Sequence, residues 1–113
     1  MSHANLPNVI SVTDATFQNQ VVGAAGPVLV KFEADWCGPC QAMKPAIAEI
    51  ASEYDGRVTI ATVDIDANQQ TPYRYGVRGI PTVMLFKDGQ VVGQKVGLAR
   101  KNDLTALIDS TLV

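Results

Sequence analysis

The sequence predicts a single α/β domain, with a central mixed sheet of about five strands and helices on both faces. Short β-branched runs alternate with segments of helical periodicity in the order βαβαβαββα. Strands separated by helices need right-handed crossovers, which place helices on both sides of a sheet. Asp88-Gly89 lies between two apolar runs and predicts a tight hairpin, so the last two strands should be antiparallel. With 113 residues, 47% of them hydrophobic, the chain can bury one core without metal or disulfide staples.

The first elements lead up to a pair of cysteines. Residues 9–12 predict a short strand, and Thr13 or Asp14 can cap a helix over residues 17–22. The mostly apolar run at residues 28–32 is typical of a strand that is buried on both sides in an α/β sheet.

A longer helical pattern begins at the cysteines. Apolar residues recur at helical spacing over residues 37–54, and Pro45 should kink this helix. Residues 58–65 predict the next strand. Residues 66–75 predict a polar, partly helical segment that Pro72 interrupts.

The C-terminal part of the chain predicts the hairpin and a last helix. The hairpin strands are expected at residues 82–86 and 91–96. An amphipathic helix should cover residues 104–112, with Asn102 as its cap. All 113 residues are assigned to one domain, of which residues 1–7 should form a loose N-terminal segment.

The motif Cys37-Gly38-Pro39-Cys40 stands at the junction of a buried strand and the helix that follows. At a helix N-terminus, unpaired backbone N–H groups and the helix dipole favour the thiolate of Cys37 over its thiol. Cys40, one turn further on, is close enough to form a disulfide with Cys37, and Pro39 stiffens the turn between them. The motif therefore predicts two-step exchange, in which Cys37 attacks a substrate disulfide and Cys40 resolves the mixed disulfide.

A metal site is the main alternative for two closely spaced cysteines. Zinc and iron–sulfur sites need about four ligands, and the chain supplies two cysteines and a distant His3. We therefore expect no metal, and the position between strand and helix favours a redox pair.

Two further segments accompany the cysteine motif. Gly79-Ile80-Pro81-Thr82 and Val96-Gly97-Leu98, together with the signature Ala34-Asp35-Trp36-Cys37-Gly38-Pro39-Cys40, resemble the thioredoxin family over nearly the whole chain. The resemblance implies the thioredoxin fold and a cis Ile80–Pro81 bond, which the sequence alone would place in the trans form. It also implies a flat apolar surface that binds an extended polypeptide, formed by Trp36, Gly38, Pro39, Ile65, Gly79, Ile80, Pro81, Gly97 and Leu98.

The Gly-Pro pair between the cysteines resembles the reducing members of that family. The resemblance implies a protein-disulfide reductase in electron transport and cell redox homeostasis. It would act on protein disulfides and receive electrons from an NADPH-linked flavoprotein thioredoxin reductase or from a ferredoxin-linked reductase. No bound cofactor is expected beyond a redox-active Cys37–Cys40 disulfide. An oxidase or isomerase of the same fold, and a redox-independent binding module, are the alternatives.

The chain departs from the family beneath the cysteine motif. The family commonly has a buried aspartate where this sequence has Lys31, and a lysine where it has Thr62. Lys31 and Glu33 are two apart on one strand, so their side chains point to the same face and can form an ion pair beneath Cys40, with Glu33 as a proton acceptor. The expected arrangement is nevertheless that Lys31 extends its ammonium group to solvent and Glu33 lies exposed at the strand end.

Composition limits the partners and the location. Nine basic and eleven acidic residues give a net charge of −2, which argues against a general nucleic-acid binder. No run has transmembrane length, and the first residues do not resemble a secretory signal, so we expect a cytoplasmic monomer without a membrane partner. Tyr73 and Tyr75 are interpreted as ordinary surface and packing residues.

Overall fold

A five-stranded mixed sheet forms the centre of the computed structural model, which describes residues 6–112. The strands are β1 (Val9–Ser11), β2 (Val28–Glu33), β3 (Thr59–Asp64), β4 (Thr82–Lys87) and β5 (Gln90–Val96). The helices are a short π-helix (Gln18–Val22), α1 (Gly38–Ala42), α2 (Lys44–Glu53), α3 (Gln70–Arg74) and α4 (Lys101–Leu112). The element order and the mixed sheet confirm the predicted α/β class.

The strand order is β1-β3-β2-β4-β5. β3 is parallel to β1 and β2, whereas β4 is antiparallel to both β2 and β5. The β4–β5 turn contains Asp88 at φ 53° and Gly89 at φ 80°, the two positive φ angles that a type I′ hairpin turn requires. In the β2–β4 ladder Phe32 is opposite Thr82, so the end of β2 lies beside the start of β4.

Each face of the sheet carries its own apolar core. On one face, the sheet packs against Ile47 and Ile50 of α2 and Leu104 and Ile108 of α4. These residues have the helical spacing from which the two helices were predicted. The other face packs against Phe17 and Val21 around the π-helix and against the residues that follow α3. Helices therefore cover both faces of the sheet, as predicted.

Proline acts differently at its two helical positions. The predicted helix over residues 37–54 is divided at Met43, with Pro45 at the second position of α2, because proline offers no N–H to the preceding turn. The predicted interruption at Pro72 is wrong. Pro72 is the third residue of α3, where a first-turn N–H has no carbonyl partner within the helix, so proline is tolerated.

Asp14 and Asn102 do not cap the helices for which they were predicted. Asp14 does not cap the π-helix; its carboxylate accepts bonds from Thr71 N (2.9 Å), Thr71 Oγ1 (2.6 Å) and Gln70 N (3.2 Å), and so caps α3. Thr13, the alternative cap, does act locally: its Oγ1 accepts from Thr16 N (3.3 Å) in the turn that leads into the π-helix. The predicted cap Asn102 lies inside α4, whose start is closed by Asp103 accepting from Arg100 N (3.1 Å).

Replacement of Asp14 by Ala should destabilise the protein by about 1 kcal/mol at neutral pH, because α3 loses its cap. Burial raises the pKa of Asp14, but the hydrogen bonds from Thr71 and Gln70 outweigh burial and leave its pKa below 3.8. The stabilisation is therefore present above pH 3.8 and is lost as the pH falls through the lowered pKa. Urea unfolding at neutral and strongly acidic pH should show the two proteins converging in acid, whereas exposed Asp55→Ala should match wild type throughout.

The N-terminal segment was predicted to be loose over residues 1–7. Residues 1–5 lie outside the part of the chain that the structure describes. Leu6 is partly buried against the core on the α2–α4 face, and its carbonyl oxygen accepts from Val9 N (3.3 Å). Within residues 6–112, no helix is long and apolar enough to cross a membrane.

Candidate active site

The two cysteines form a disulfide at the head of α1. Cys37 is the N-cap residue, and its Sγ accepts a hydrogen bond from Cys40 N (3.2 Å). Pro39 occupies the second position of the helix and pre-sets its first turn. The Cα atoms of the cysteines are 5.2 Å apart, within the usual range for a disulfide. An N–H donor aimed at Cys37 Sγ would stabilise negative charge on that sulfur after reduction.

The two sulfur-bearing residues differ in burial. Cys37 is 5% exposed, whereas Cys40 is completely buried. Both pack with Ala34, and Ile65 and Ile80 lie against the same small cluster. An incoming disulfide therefore meets Cys37 before Cys40.

The loop that immediately precedes β4 lies beside the disulfide. The Ile80–Pro81 bond is cis, as the family resemblance predicted. Thr82 Oγ1 donates to Gly79 O (2.6 Å), and Gly97 N donates to Pro81 O (2.8 Å). These bonds tie the loop to the end of β5. The segments at residues 79–82 and 96–98, which carried part of the family resemblance, are thus neighbours in space.

Of the residues predicted to bind substrate, Ile65 and Ile80 pack against the two cysteines. Trp36 is 68% exposed and is held by a bond from its Nε1 to Asp66 Oδ2 (2.8 Å). Leu98 is 65% exposed beyond β5. Gly38, Pro39 and Gly79 are also exposed, Ile65, Ile80 and Gly97 are partly exposed, and Pro81 is buried. Apolar residues that are at least partly exposed therefore lie next to the disulfide.

A groove of about 550 Å³ continues this surface along α3. Besides four residues that were predicted to bind substrate, its lining includes five that were not: Gln69, Pro72, Tyr73, Val77 and Arg78.

Tyr75 packs against Phe17 and Phe86, as an ordinary core residue should. Tyr73 is 89% exposed. Because Thr71 and Tyr75 are one helical turn apart and face inwards, residue 73 falls on the outer face; this spacing could have indicated its position.

Beneath α1, the expected exposure of Lys31 and Glu33 is wrong. Both are 1% exposed, and Lys31 Nζ lies 2.6 Å from Glu33 Oε1. The same ammonium group donates to Cys40 O (2.8 Å). The ion pair beneath Cys40 is therefore present. A lysine side chain in the middle of a sheet has no path to solvent when α1 and α2 cover that face.

Burial lowers the pKa of Lys31, although its bond and charge interaction with Glu33 oppose that shift, and the positive charge of Lys44 adds to it. Thr62 is the β3 neighbour of Lys31 and is also buried. Its Oγ1 has no hydrogen-bond partner among residues 6–112. Charged and polar groups thus replace the apolar packing expected under a helix.

The described part of the chain contains no group of three or more His, Cys, Asp or Glu residues that could hold a metal ion. The disulfide at the head of α1 offers dithiol–disulfide chemistry, with ionisable groups beneath it.

Comparison with known proteins covers almost the whole chain. The family model described as "Thioredoxin" matches residues 8–110. A thioredoxin of Pseudomonas aeruginosa is 49% identical over 105 residues, which is 93% of this chain and 97% of that protein. A thioredoxin of Allochromatium vinosum is 50% identical over 103 residues, 91% of this chain and 96% of the relative. Thioredoxin C-2 of Corynebacterium nephridii is 43% identical over 104 residues, with 92% and 96% covered.

Proposed function

The chain belongs to the thioredoxin family, and we propose that Cys37 attacks and Cys40 resolves in the protein-disulfide reduction by dithiol–disulfide exchange that its relatives support. The observation that carries this assignment is the contrast between the two cysteines: Cys37 is the more exposed and receives the N–H of Cys40, whereas Cys40 is completely buried.

The reaction has two balanced steps. The Cys37 thiolate attacks one sulfur of the substrate disulfide, and the other substrate sulfur leaves with the electron pair. Cys40, as thiolate, then attacks Cys37 Sγ, so that the Cys37–Cys40 bond forms and the second substrate sulfur leaves. The substrate gains two electrons and two protons overall, and the protein ends in the disulfide state.

The surrounding surface supports recognition of an extended polypeptide. Trp36 and Leu98 offer exposed apolar area, and partly exposed Ile80 packs against the two cysteines. A substrate strand that lies across this surface would bring its disulfide to Cys37 and could pair with the backbone of Ile80. The groove along α3 extends the same surface towards Tyr73 and Arg78.

Membership of the thioredoxin family also supports a proposal for the source of electrons and for the cellular location. A flavoprotein thioredoxin reductase linked to NADPH, or a ferredoxin-linked reductase, would return the disulfide to the dithiol. A reducing compartment such as the cytoplasm suits this cycle, because glutathione and related systems keep thiols reduced there. The redox group is the disulfide of the chain itself, so the reductase brings any flavin or metal.

Replacement of Cys40 by Ser should convert the protein into a trap for its substrates. Cys37 can still attack, but a serine hydroxyl cannot resolve the mixed disulfide, so the conjugate should persist for hours rather than turn over. Incubation of reduced Cys40→Ser with a disulfide-bonded peptide, followed by intact-mass measurement, should show one peptide bound through Cys37. A Cys37→Ser/Cys40→Ser protein is the control. Failure of Cys40→Ser to form any conjugate would contradict the assignment of attack to Cys37.

A further inference from the structure

Two oppositely charged side chains lie beneath the cysteine pair where solvent does not reach them. Lys31 and Glu33 are each 1% exposed and are bonded to each other. Removing two charges from water costs free energy that their attraction often fails to recover, and apolar residues of similar volume are frequently as stable. Fold stability alone therefore does not account for the pair.

The pair is connected to Cys40. Lys31 Nζ donates to Cys40 O (2.8 Å) while it lies 2.6 Å from Glu33 Oε1, so one ammonium group joins the Glu33 carboxylate to the resolving residue. Cys40 is completely buried, so bulk water does not reach its side chain. A thiol in that position needs an internal group that takes its proton when it becomes a nucleophile.

The other ionisable groups near the pair are less suited to that task. Lys44, at the start of α2, contributes a positive charge to the environment of Lys31. Asp64 is opposite Glu33 in the β2–β3 ladder, is only partly buried, and accepts a hydrogen bond from Asp66 N (2.9 Å). Thr62, the neighbour of Lys31 on β3, has a hydroxyl that does not ionise in this pH range. Glu33 is the buried carboxylate that the Cys40-bound ammonium group contacts.

Resting on the proposed function, in which Cys40 resolves the mixed disulfide, we propose that Glu33 accepts the Cys40 proton in that step and that Lys31 is the positioning residue that holds Glu33 at Cys40. The Cys40 S–H bond breaks and its proton goes to Glu33. The sulfur then attacks Cys37 Sγ, the Cys37–Cys40 bond forms, and the substrate sulfur leaves with the electron pair. Glu33 afterwards returns the proton to solvent.

The charge balance favours this transfer. Before it, the buried site holds an ammonium group and a carboxylate; after it, the site holds the same ammonium group and a thiolate, with Glu33 neutral. Negative charge moves from one atom to another near a fixed positive charge, and no net charge is created in a medium of low dielectric constant. Without Glu33, the proton would have to leave the interior before Cys40 could attack.

Stopped-flow reduction of 5,5′-dithiobis(2-nitrobenzoate) tests the proposal, because each step releases one coloured thiolate. The first phase reports attack by Cys37 and depends on reagent concentration; the second reports resolution by Cys40 and does not. Glu33→Gln should leave the first phase unchanged and slow the second about tenfold or more at neutral pH. The pH inflexion of the second phase should also move to higher pH, because a buried cysteine thiol without an internal proton acceptor ionises less readily.

Glu49→Gln is the matched control, because Glu49 also pairs with a lysine, Lys101, but at the surface. This variant should behave as wild type in both phases. A second phase of wild-type rate and pH dependence in folded Glu33→Gln would overturn the proposal, and so would equal slowing of both phases, which indicates a distorted site.

A second variant keeps the test decisive if Glu33→Gln does not fold. Glu33→Asp retains a carboxylate but withdraws it by one methylene, so the second phase should slow while its pH inflexion stays near that of wild type. A wild-type rate in Glu33→Asp would count against the proposal. A first phase that persists in Cys37→Ser would instead contradict the exchange scheme itself, whatever Glu33 does.

Discussion

Replacement of Cys37 by Ser should reduce disulfide reduction to the uncatalysed background, a loss of at least about a thousandfold. Serine keeps the shape of the N-cap residue and can still accept the hydrogen bond from Cys40 N, so α1 should form normally. Its hydroxyl does not ionise near neutral pH and cannot form a mixed disulfide. Reduction of a disulfide-bonded protein, driven by excess dithiothreitol and corrected for the reagent alone, measures this loss.

The complementary variant separates attack from resolution. Cys40→Ser should also lose turnover but should retain a single round of attack, visible as one equivalent of released thiol. Cys37→Ser should release none. If Cys37→Ser released one equivalent and Cys40→Ser none, the assigned roles of the two cysteines would be reversed.

Replacement of Lys31 by Met should lower the free energy of unfolding by about 3–5 kcal/mol, because it leaves the Glu33 carboxylate buried without its ammonium partner. That loss is a large fraction of the about 5–15 kcal/mol typical of a domain. Urea unfolding at neutral pH measures it. Lys31→Met/Glu33→Leu should recover most of the loss, since apolar side chains of similar volume can replace a buried ion pair.

Lys101→Met is the matched control for that comparison. Lys101 also pairs with glutamates, but it lies at the surface, where water can solvate a glutamate left alone, so its replacement should have a much smaller effect. Full stability of the single Lys31→Met variant would contradict the assigned pairing.

Lys31 also makes the free energy of unfolding depend on pH in the alkaline range. Because burial lowers the pKa of Lys31 below 10.5, the unfolded chain binds more protons between the two values. The contribution of Lys31 to the free energy of unfolding should therefore rise as the pH increases through that window and level off above pH 10.5. Subtraction of the Lys31→Met/Glu33→Leu profile isolates this rise, and a flat difference would show that the pKa of Lys31 is not lowered.

Much of the fold could be predicted because its signals are local. Asp88-Gly89 specifies a hairpin turn through the backbone of two residues, and the spacing of Ile47 and Ile50 reports a helical face directly. The cap of α3 could not be predicted in this way. Asp14 acts on Thr71 across the fold, so no pattern near either residue records the bond. From the sequence alone, an aspartate just before a short helix is equally compatible with a cap of that helix.

The same distinction applies to the site. The cysteine motif predicts its own chemistry because strand, turn and helix follow one another in the chain. The Lys31–Glu33 pair was predicted as a possibility, but the exposed arrangement was preferred because charged side chains are seldom buried. What decides the outcome is the cover that α1 and α2 provide, together with the carbonyl of Cys40 as a third partner, and neither can be read from residues 31 and 33 alone.

The antiparallel pairing of β2 and β4 brings together two parts of the site that are far apart in the chain. The cysteines follow β2 and Pro81 precedes β4, so the segments meet only after a loop of about fifty residues has closed, which is a slow, non-local event in folding. A chain in which α1 has formed but β4 has not docked would have thiols without a recognition surface. Docking of β4 on β2 therefore completes the recognition loop beside the cysteines in the same event that completes the sheet.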